Sequence, residues 1–257
     1  MNKTIKYIIT IVLTALAVAS FILFELVHLT LIKDNAIANQ MLSSVIYHFA
    51  IGALLLWLSY LVGNTAYLSL KNSSLKQLLW CLPCLLVALV NFPYAGVIRG
   101  DIKIVNANLI PLYIVYVISI SLIEEIVFRG VLLLLLLDLF RNNKLKHFYS
   151  ALISSLIFAL FHFTNIGSMP IGEVLLQVLY TFLIGGMLAV TMLKAKNIWV
   201  CILLHAIFDF GGLMVYRLTY DSPMSDPVFW ILTIACGILC AGHIIVTLIN
   251  LERKHVS

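Results

Sequence analysis

Eight long apolar segments, separated by short polar connections, dominate the pattern of this chain. Each is long enough to cross about 30 Å of hydrocarbon as a helix that rises about 1.5 Å per residue. The first continues well beyond the roughly 7–15 apolar residues of a signal peptide, so it is predicted to be a retained helix. The pattern predicts an all-α, polytopic membrane protein with about eight transmembrane helices, at approximately Ile5–Ile32, Met41–Gly63, Leu75–Val97, Leu109–Leu137, Phe148–Thr164, Gly172–Leu193, Ile198–Tyr216 and Val228–Leu251.

The composition supports a lipid environment. The chain has 257 residues, of which 63% are hydrophobic and 11% are charged, and its mean hydropathy is +1.09. A soluble domain of this length could not bury so much apolar surface, so the lipid bilayer must be part of its solvent. The net charge of +5 is small and scattered, which argues against nucleic acid as a partner. No repeat or linker divides the chain, and we expect a single membrane domain over residues 1–257.

The basic residues predict the orientation, because cytoplasmic loops of membrane proteins carry an excess of Lys and Arg. With the N-terminus inside, the outer loops contain only Lys33, Arg99, Lys103 and Arg217. We therefore predict that both termini are cytoplasmic. The segments assigned to the cytoplasmic side contain Lys3, Lys6, Lys71, Lys76, Arg141, Lys144, Lys146, Lys194, Lys196, Arg253 and Lys254.

The stretch SLIEEIVFRG places Glu124, Glu125 and Arg129 inside the fourth apolar segment. A charge at the bilayer centre costs roughly 2.5–3.5 kcal/mol, so such residues call for a functional explanation. In a helix Glu125 and Arg129 lie roughly 40° apart and can form an ion pair, whereas Glu124 lies roughly 140° from Arg129. Glu124 has no local partner and is a candidate general base. The alternative is a packing network that joins all three residues to neighbouring helices.

Two further membrane segments carry paired candidates at helical spacing. In LIFALFHF, Phe158 and His162 share one helix face, and in LLHAIFDF the same spacing relates His205 and Asp209. Counted from the predicted cytoplasmic ends, Glu124, His162 and His205 lie roughly 20, 21 and 12 Å deep. Helix tilt allows these three depths to meet at one level.

The motifs EEIVFRG, FALFH and HAIFD, in this order on separate membrane helices, resemble the CaaX protease and bacteriocin-processing family, also called the Abi family. The resemblance extends over residues 118–212. It implies a bundle of about eight membrane helices that hydrolyses peptide bonds by means of a glutamate-activated water molecule, without a cofactor. Carried over to this sequence, it implies that Glu124 is the base, that His162 holds and polarises the water, that His205 and Asp209 stabilise the oxyanion, and that Glu125, Arg129 and Phe158 support the site.

Asp209 departs from the prenyl-protein branch of that family, which has asparagine at this position. An asparagine amide donates a hydrogen bond to an oxyanion, whereas an ionised carboxylate repels it. Two explanations remain open. Either Asp209 is protonated, or it orients His205 and keeps the imidazole charged, as a carboxylate does in a catalytic triad.

Three classes of function are considered. The first, implied by the resemblance, is an endopeptidase of the bacterial plasma membrane that cleaves a small membrane-associated peptide or protein, in pheromone or bacteriocin maturation or in self-protection. Removal of the last three residues of a prenylated protein is a less favoured variant of this activity. The second is a zinc protease in which Glu124, His162 and His205 bind the metal, although the chain lacks an HExxH motif. The third is non-enzymatic: an immunity or scaffold protein, or a transporter that uses the buried groups as a proton relay.

Overall fold

A computed structural model describes residues 29–61, 66–68, 74–219 and 227–256, together with a few isolated positions before residue 29. Within these ranges the chain is helical between its connections and contains no β-strand, only one isolated bridge between Ile166 and Met169. The predicted all-α fold is confirmed for this part of the chain. Most of the predicted first segment, Ile5–Ile32, lies outside the described residues, as does most of the turn-rich stretch 221–227.

The described chain contains ten α-helices, one π-helical segment and three 3₁₀ turns. A π-helical segment, Ile126–Leu133, joins α5 to α6, and 3₁₀ turns occur at Ala66–Leu68, Ala107–Leu109 and His162–Asn165. The helices are α1 (Ala36–Leu61), α2 (Leu75–Trp80), α3 (Leu82–Val90), α4 (Tyr94–Arg99), α5 (Ile110–Glu125), α6 (Leu134–Leu139), α7 (Lys146–Phe161), α8 (Ile171–Ala195), α9 (Ile198–Arg217) and α10 (Pro227–Val256).

Five stretches are long and apolar enough to cross a membrane: Ala36–Trp57, Lys146–Asn165, Ile171–Ala195, Ile198–Arg217 and Pro227–Arg253. They agree with five of the predicted segments and support a multi-pass membrane protein. The predicted fourth segment is a continuous helical rod formed by α5, the π-helical segment and α6. The number of eight spans and the cytoplasmic location of both termini stay predictions.

The third predicted segment, Leu75–Val97, is not one helix. Two prolines divide it into α2, α3 and α4, because proline lacks an amide hydrogen and is compatible only with the first turn of a helix. Pro83 occupies that first turn in α3, and Pro93 immediately precedes α4. Asn91 lies in the break between α3 and α4, and its Nδ2 donates to the Phe208 carbonyl of α9 over 2.7 Å. This hydrogen bond connects the break to α9.

Small residues allow α7 and α8 to pack closely beside the π-helical segment. A Cβ atom added to Gly185 of α8 would lie 3.1 Å from both Cα and Cβ of Ser155 on α7. The neighbouring Ser154 hydroxyl donates to the Phe128 carbonyl over 3.1 Å, which ties α7 to the π-helical segment. Such close contacts between small residues are a common means of joining membrane helices. Here they bring α5, α7, α8 and α9 around one buried centre.

Candidate active site

The Glu125–Arg129 ion pair lies at this centre. Nη1 of Arg129 donates to Oε1 of Glu125 over 2.7 Å, and neither side chain is exposed. Nη2 of Arg129 donates to the Gly185 carbonyl over 3.2 Å, and its guanidinium carbon stands 4.3 Å from the centre of the Phe158 ring. The sequence spacing predicted the ion pair. Glu125 is the last residue of α5, and Arg129 lies in the π-helical segment that follows. Such π-helical turns are frequent at functional sites.

His205 of α9 joins this ion pair by contacting Glu125. Its Nδ1 lies 2.8 Å from Oε1 of Glu125, so one carboxylate oxygen contacts both the arginine and the imidazole. Because a carboxylate only accepts hydrogen bonds, Nδ1 carries a proton. Sequence reasoning missed this contact, since the two residues are 80 positions apart and no local spacing relates them.

The second ring nitrogen of His205 faces two further carboxylates. Nε2 lies 3.4 Å from Oδ2 of Asp209 and 3.6 Å from Oε2 of Glu124. Both distances exceed the usual range of an N–H···O hydrogen bond, about 2.7–3.2 Å. The three groups therefore lie in close electrostatic contact without short hydrogen bonds between them.

Burial separates the two adjacent glutamates. The Glu125 side chain is 0% exposed, whereas the side chains of Glu124 and Asp209 are 11% and 17% exposed. Glu124 and Asp209 thus retain a small exposed area, which Glu125 lacks. The two adjacent glutamates therefore differ in their surroundings.

Phe158 and His162 of the second motif lie beside the same group. Phe158 is buried, and its ring meets the His162 and His205 rings edge-on at centroid distances of 5.2 and 5.8 Å. His162 follows the last residue of α7, and its Nδ1 donates to the Phe158 carbonyl over 3.0 Å. When the ring is neutral, this hydrogen bond keeps the proton on Nδ1 and leaves Nε2 to accept a hydrogen bond. In the described chain His162 makes no direct hydrogen bond to Glu124.

The candidate residues thus fall into two groups. Glu124, Glu125, Arg129, His205 and Asp209 form one connected polar cluster, and His162 joins it through the ring of Phe158. The Gly185 carbonyl is a contributor that was not predicted. Its only signal in the sequence is the Gly185–Gly186 pair in an otherwise apolar segment, which is typical of close helix packing.

The donor geometry does not fit the zinc alternative. The zinc hypothesis requires Glu124, His162 and His205 to converge on one point. His162 reaches the cluster only through Phe158. Among the residues that the structure describes, no group of three or more His, Cys, Asp or Glu is arranged to hold a metal ion.

Comparison with known proteins found a match for the part of the chain that carries the site. Residues 106–211 match the family model described as Rce1-like, type II CAAX prenyl endopeptidase. The matched region is less than half of the chain, but it runs from just before α5 into α9 and contains all seven predicted site residues. No curated protein matches the chain. The matched family is one of membrane proteases, which supports a peptidase. Over residues 106–211 the chain is similar to this family model, which agrees with the resemblance of its three motifs to the CaaX protease and bacteriocin-processing family.

Proposed function

We propose that this protein is an intramembrane endopeptidase in which Glu124 activates a water molecule for attack on a peptide bond. The observation that carries the proposal is the unequal environment of the two glutamates. Glu125 is engaged by Arg129 and His205 in the protein interior, whereas Glu124 has only a 3.6 Å contact and remains partly accessible. A general base needs that combination of proximity to polar partners and access to water.

The hydrolysis balances without a further reactant. As the water oxygen bonds to the scissile carbonyl carbon, Glu124 accepts a proton from the water and the carbonyl electron pair moves to oxygen. When the tetrahedral intermediate collapses, the C=O bond re-forms, the C–N bond breaks, and Glu124 returns its proton to the leaving nitrogen. Nε2 of His162 accepts a hydrogen bond from the same water and orients it, since Nδ1 is already bonded to the Phe158 carbonyl.

His205 supplies the donor for the oxyanion. An N–H at Nε2 makes its approach to both Asp209 and Glu124 favourable, whereas a lone pair there would repel two carboxylates. The ring is then protonated on both nitrogens and stabilises the negative oxygen of the intermediate. This assignment favours the second explanation for Asp209, in which the carboxylate keeps His205 charged.

The substrate class is a small membrane-associated peptide or protein, cleaved at the bacterial plasma membrane in bacteriocin or pheromone processing or in self-protection. A site built among apolar helices receives its substrate most readily from the bilayer or its surface. The description of the matched family adds prenylated CaaX termini as a substrate class to compare.

The experiment compares Glu124→Gln with wild-type protein purified in detergent micelles. Two internally quenched peptides serve as probes: one ends in a farnesylated cysteine followed by three residues, and the other is a hydrophobic peptide without the prenyl group. We expect Glu124→Gln to lower kcat about 10²–10⁴-fold at nearly constant KM, because the amide cannot accept the proton. Asp138→Asn, a surface change outside the cluster, is the matched control. A Glu124→Gln enzyme with the wild-type rate would overturn the proposal.

A further inference from the structure

A polar stripe runs along one face of α8, which is otherwise strongly apolar. Glu173, Gln177 and Tyr180 follow each other at helical spacing and fall within roughly 60° of one another around the helix axis. The exposed Leu175 and Leu179 lie on the opposite face. The most apolar 18-residue stretch of the helix has a mean hydropathy of 2.0. Polar groups in such a helix are costly unless they face the bundle interior or a water-filled space.

Two contacts fix the register between the stripe and the site. Gly185 of α8 packs on Ser155 and Phe158 of α7, and Nδ2 of Asn165, just beyond α7, donates to Oε1 of Gln177 over 2.8 Å. The two helices are antiparallel, so Tyr180 lies at the level of His162 to within about one residue, or roughly 1.5 Å. The stripe therefore begins at the depth of the candidate active site and continues toward the start of α8.

Tyr180 also faces the catalytic helix α9. Its ring centroid lies 6.2 Å from that of Phe208, the residue before Asp209. Its hydroxyl lies within hydrogen-bonding reach of the Gln177 side chain. Tyr180 is 38% exposed, so the described residues do not cover its side chain completely.

The hydrogen-bonding capacity of the stripe is only partly used. Asn165 occupies the Gln177 oxygen, and the Gln177 amide nitrogen can donate one of its two N–H groups to the Tyr180 hydroxyl. The second amide N–H and the hydroxyl proton of Tyr180 are then available to donate to a ligand. Extended peptide segments present unpaired carbonyl and N–H groups along both edges, and proteins commonly bind them through the main chain.

We propose that Gln177 and Tyr180 form a peptide-binding subsite that holds the backbone of an extended substrate beside Asp209. The inference rests on the proposed protease function and adds the residues that position the substrate. Donors at two successive levels of α8 contact two backbone carbonyls of the bound segment. Because they contact the main chain, they tolerate different substrate side chains, while the lipid-facing side of α8 takes no part.

The test separates binding from cleavage by using Glu124→Gln as a non-cleaving background. Binding of the two probe peptides, labelled with a fluorophore, is measured by anisotropy in micelles. Adding Gln177→Leu or Tyr180→Phe should weaken binding about 3- to 10-fold each, the effect of one lost hydrogen bond. Leu179→Ala, on the opposite face, should leave the affinity unchanged. Thermal melting of each variant reports whether it is folded.

A double-mutant cycle identifies the contact as one to the main chain. Replacing single carbonyls of the probe by thioamides, which accept hydrogen bonds more weakly, should reduce its affinity at one position in the Glu124→Gln background. The same replacement should have no further effect when Gln177→Leu is also present. Asn165→Leu, which breaks the bond to Gln177 but retains its donor, should weaken binding less than Gln177→Leu.

The two hypotheses fail in different ways. If Gln177→Leu and Tyr180→Phe bind the probes as tightly as Glu124→Gln alone, the peptide-binding subsite is refuted, while cleavage through Glu124 is unaffected. If Glu124→Gln cleaves the probes at the wild-type rate, the protease mechanism is refuted, whatever the binding results. Equal losses in Asn165→Leu and Gln177→Leu would also refute the subsite, because they would show that the bond only anchors the turn after His162.

Discussion

Replacing Arg129 by methionine should destabilise the protein strongly, because it leaves the Glu125 carboxylate buried without its countercharge. Methionine is close to arginine in length and is apolar, so the change removes charge and hydrogen bonds with little loss of packing volume. The Glu125 side chain is 0% exposed, so water cannot replace the lost guanidinium. The Gly185 carbonyl loses its donor at the same time.

The expected size follows from this geometry. Breaking a buried ion pair by removing one partner typically costs about 3–5 kcal/mol. That is a large part of the total stability of a folded domain, about 5–15 kcal/mol. For a chain of this length, 1 kcal/mol corresponds to a shift of about 2–4 °C in Tm, so Arg129→Met should lower Tm by about 6–20 °C. Glu125→Gln should have a similar effect, because it leaves Arg129 as the unpaired charge.

The double variant Glu125→Gln/Arg129→Met gives the decisive comparison. It contains no unpaired charge, and the glutamine oxygen can still accept from His205, so its loss should be smaller than the sum of the two single losses by about 2 kcal/mol. Strict additivity, to within about 0.5 kcal/mol, would refute the description of this contact as a buried ion pair. Arg141→Met is the matched control: its ion pair with Asp138 is exposed, with a separation of 3.7 Å, and contributes no more than about 1 kcal/mol.

The protein carries its own reporter for this assay. Cys81, Cys84, Cys201 and Cys240 are free and buried. A thiol-reactive fluorescent dye therefore remains dark on the folded protein and reacts as the helices separate on heating. Cys236 is only partly buried and should be replaced by serine in every variant to reduce the background.

Three further outcomes are expected. Glu252→Ala should lower the free energy of unfolding by about 1–2 kcal/mol, because Oε1 of Glu252 on α10 accepts a hydrogen bond from the Phe148 amide at the start of α7 over 2.8 Å. The neighbouring Arg253 is exposed, so Arg253→Ala should leave the melting curve unchanged. Gly211→Ala should prevent normal folding and abolish the wild-type melting transition, since the added Cβ would lie 2.6 Å from the backbone nitrogen of Phe92, in the break between α3 and α4. Gly242→Ala is the control: its added Cβ meets open space, so this variant should melt like wild type. A zinc chelator should leave cleavage of the peptide probes unchanged, because the donor geometry does not fit a zinc site; loss of activity that zinc restores would contradict this.

Local spacing predicted some of these contacts and could not predict others. The Glu125–Arg129 pair follows from helix geometry alone, since residues four apart face each other on any helix. The contact between Glu125 and His205 depends on how α5 and α9 pack, and no periodicity in the sequence encodes it. The segment Leu75–Val97 has the length and hydropathy of one span, and only its prolines signal the three short helices observed.

The buried ion pair is structurally coupled to Glu124, because His205 contacts both glutamates through different ring nitrogens. Arg129 fixes Glu125, Glu125 holds Nδ1 of His205, and the orientation of the ring then determines where Nε2 meets Glu124 and Asp209. In the proposed mechanism the ion pair thus serves catalysis indirectly, by setting the direction of the oxyanion donor. It also explains why two adjacent glutamates are not interchangeable. They contact different nitrogens of the imidazole, and of the two only Glu124 retains an exposed area.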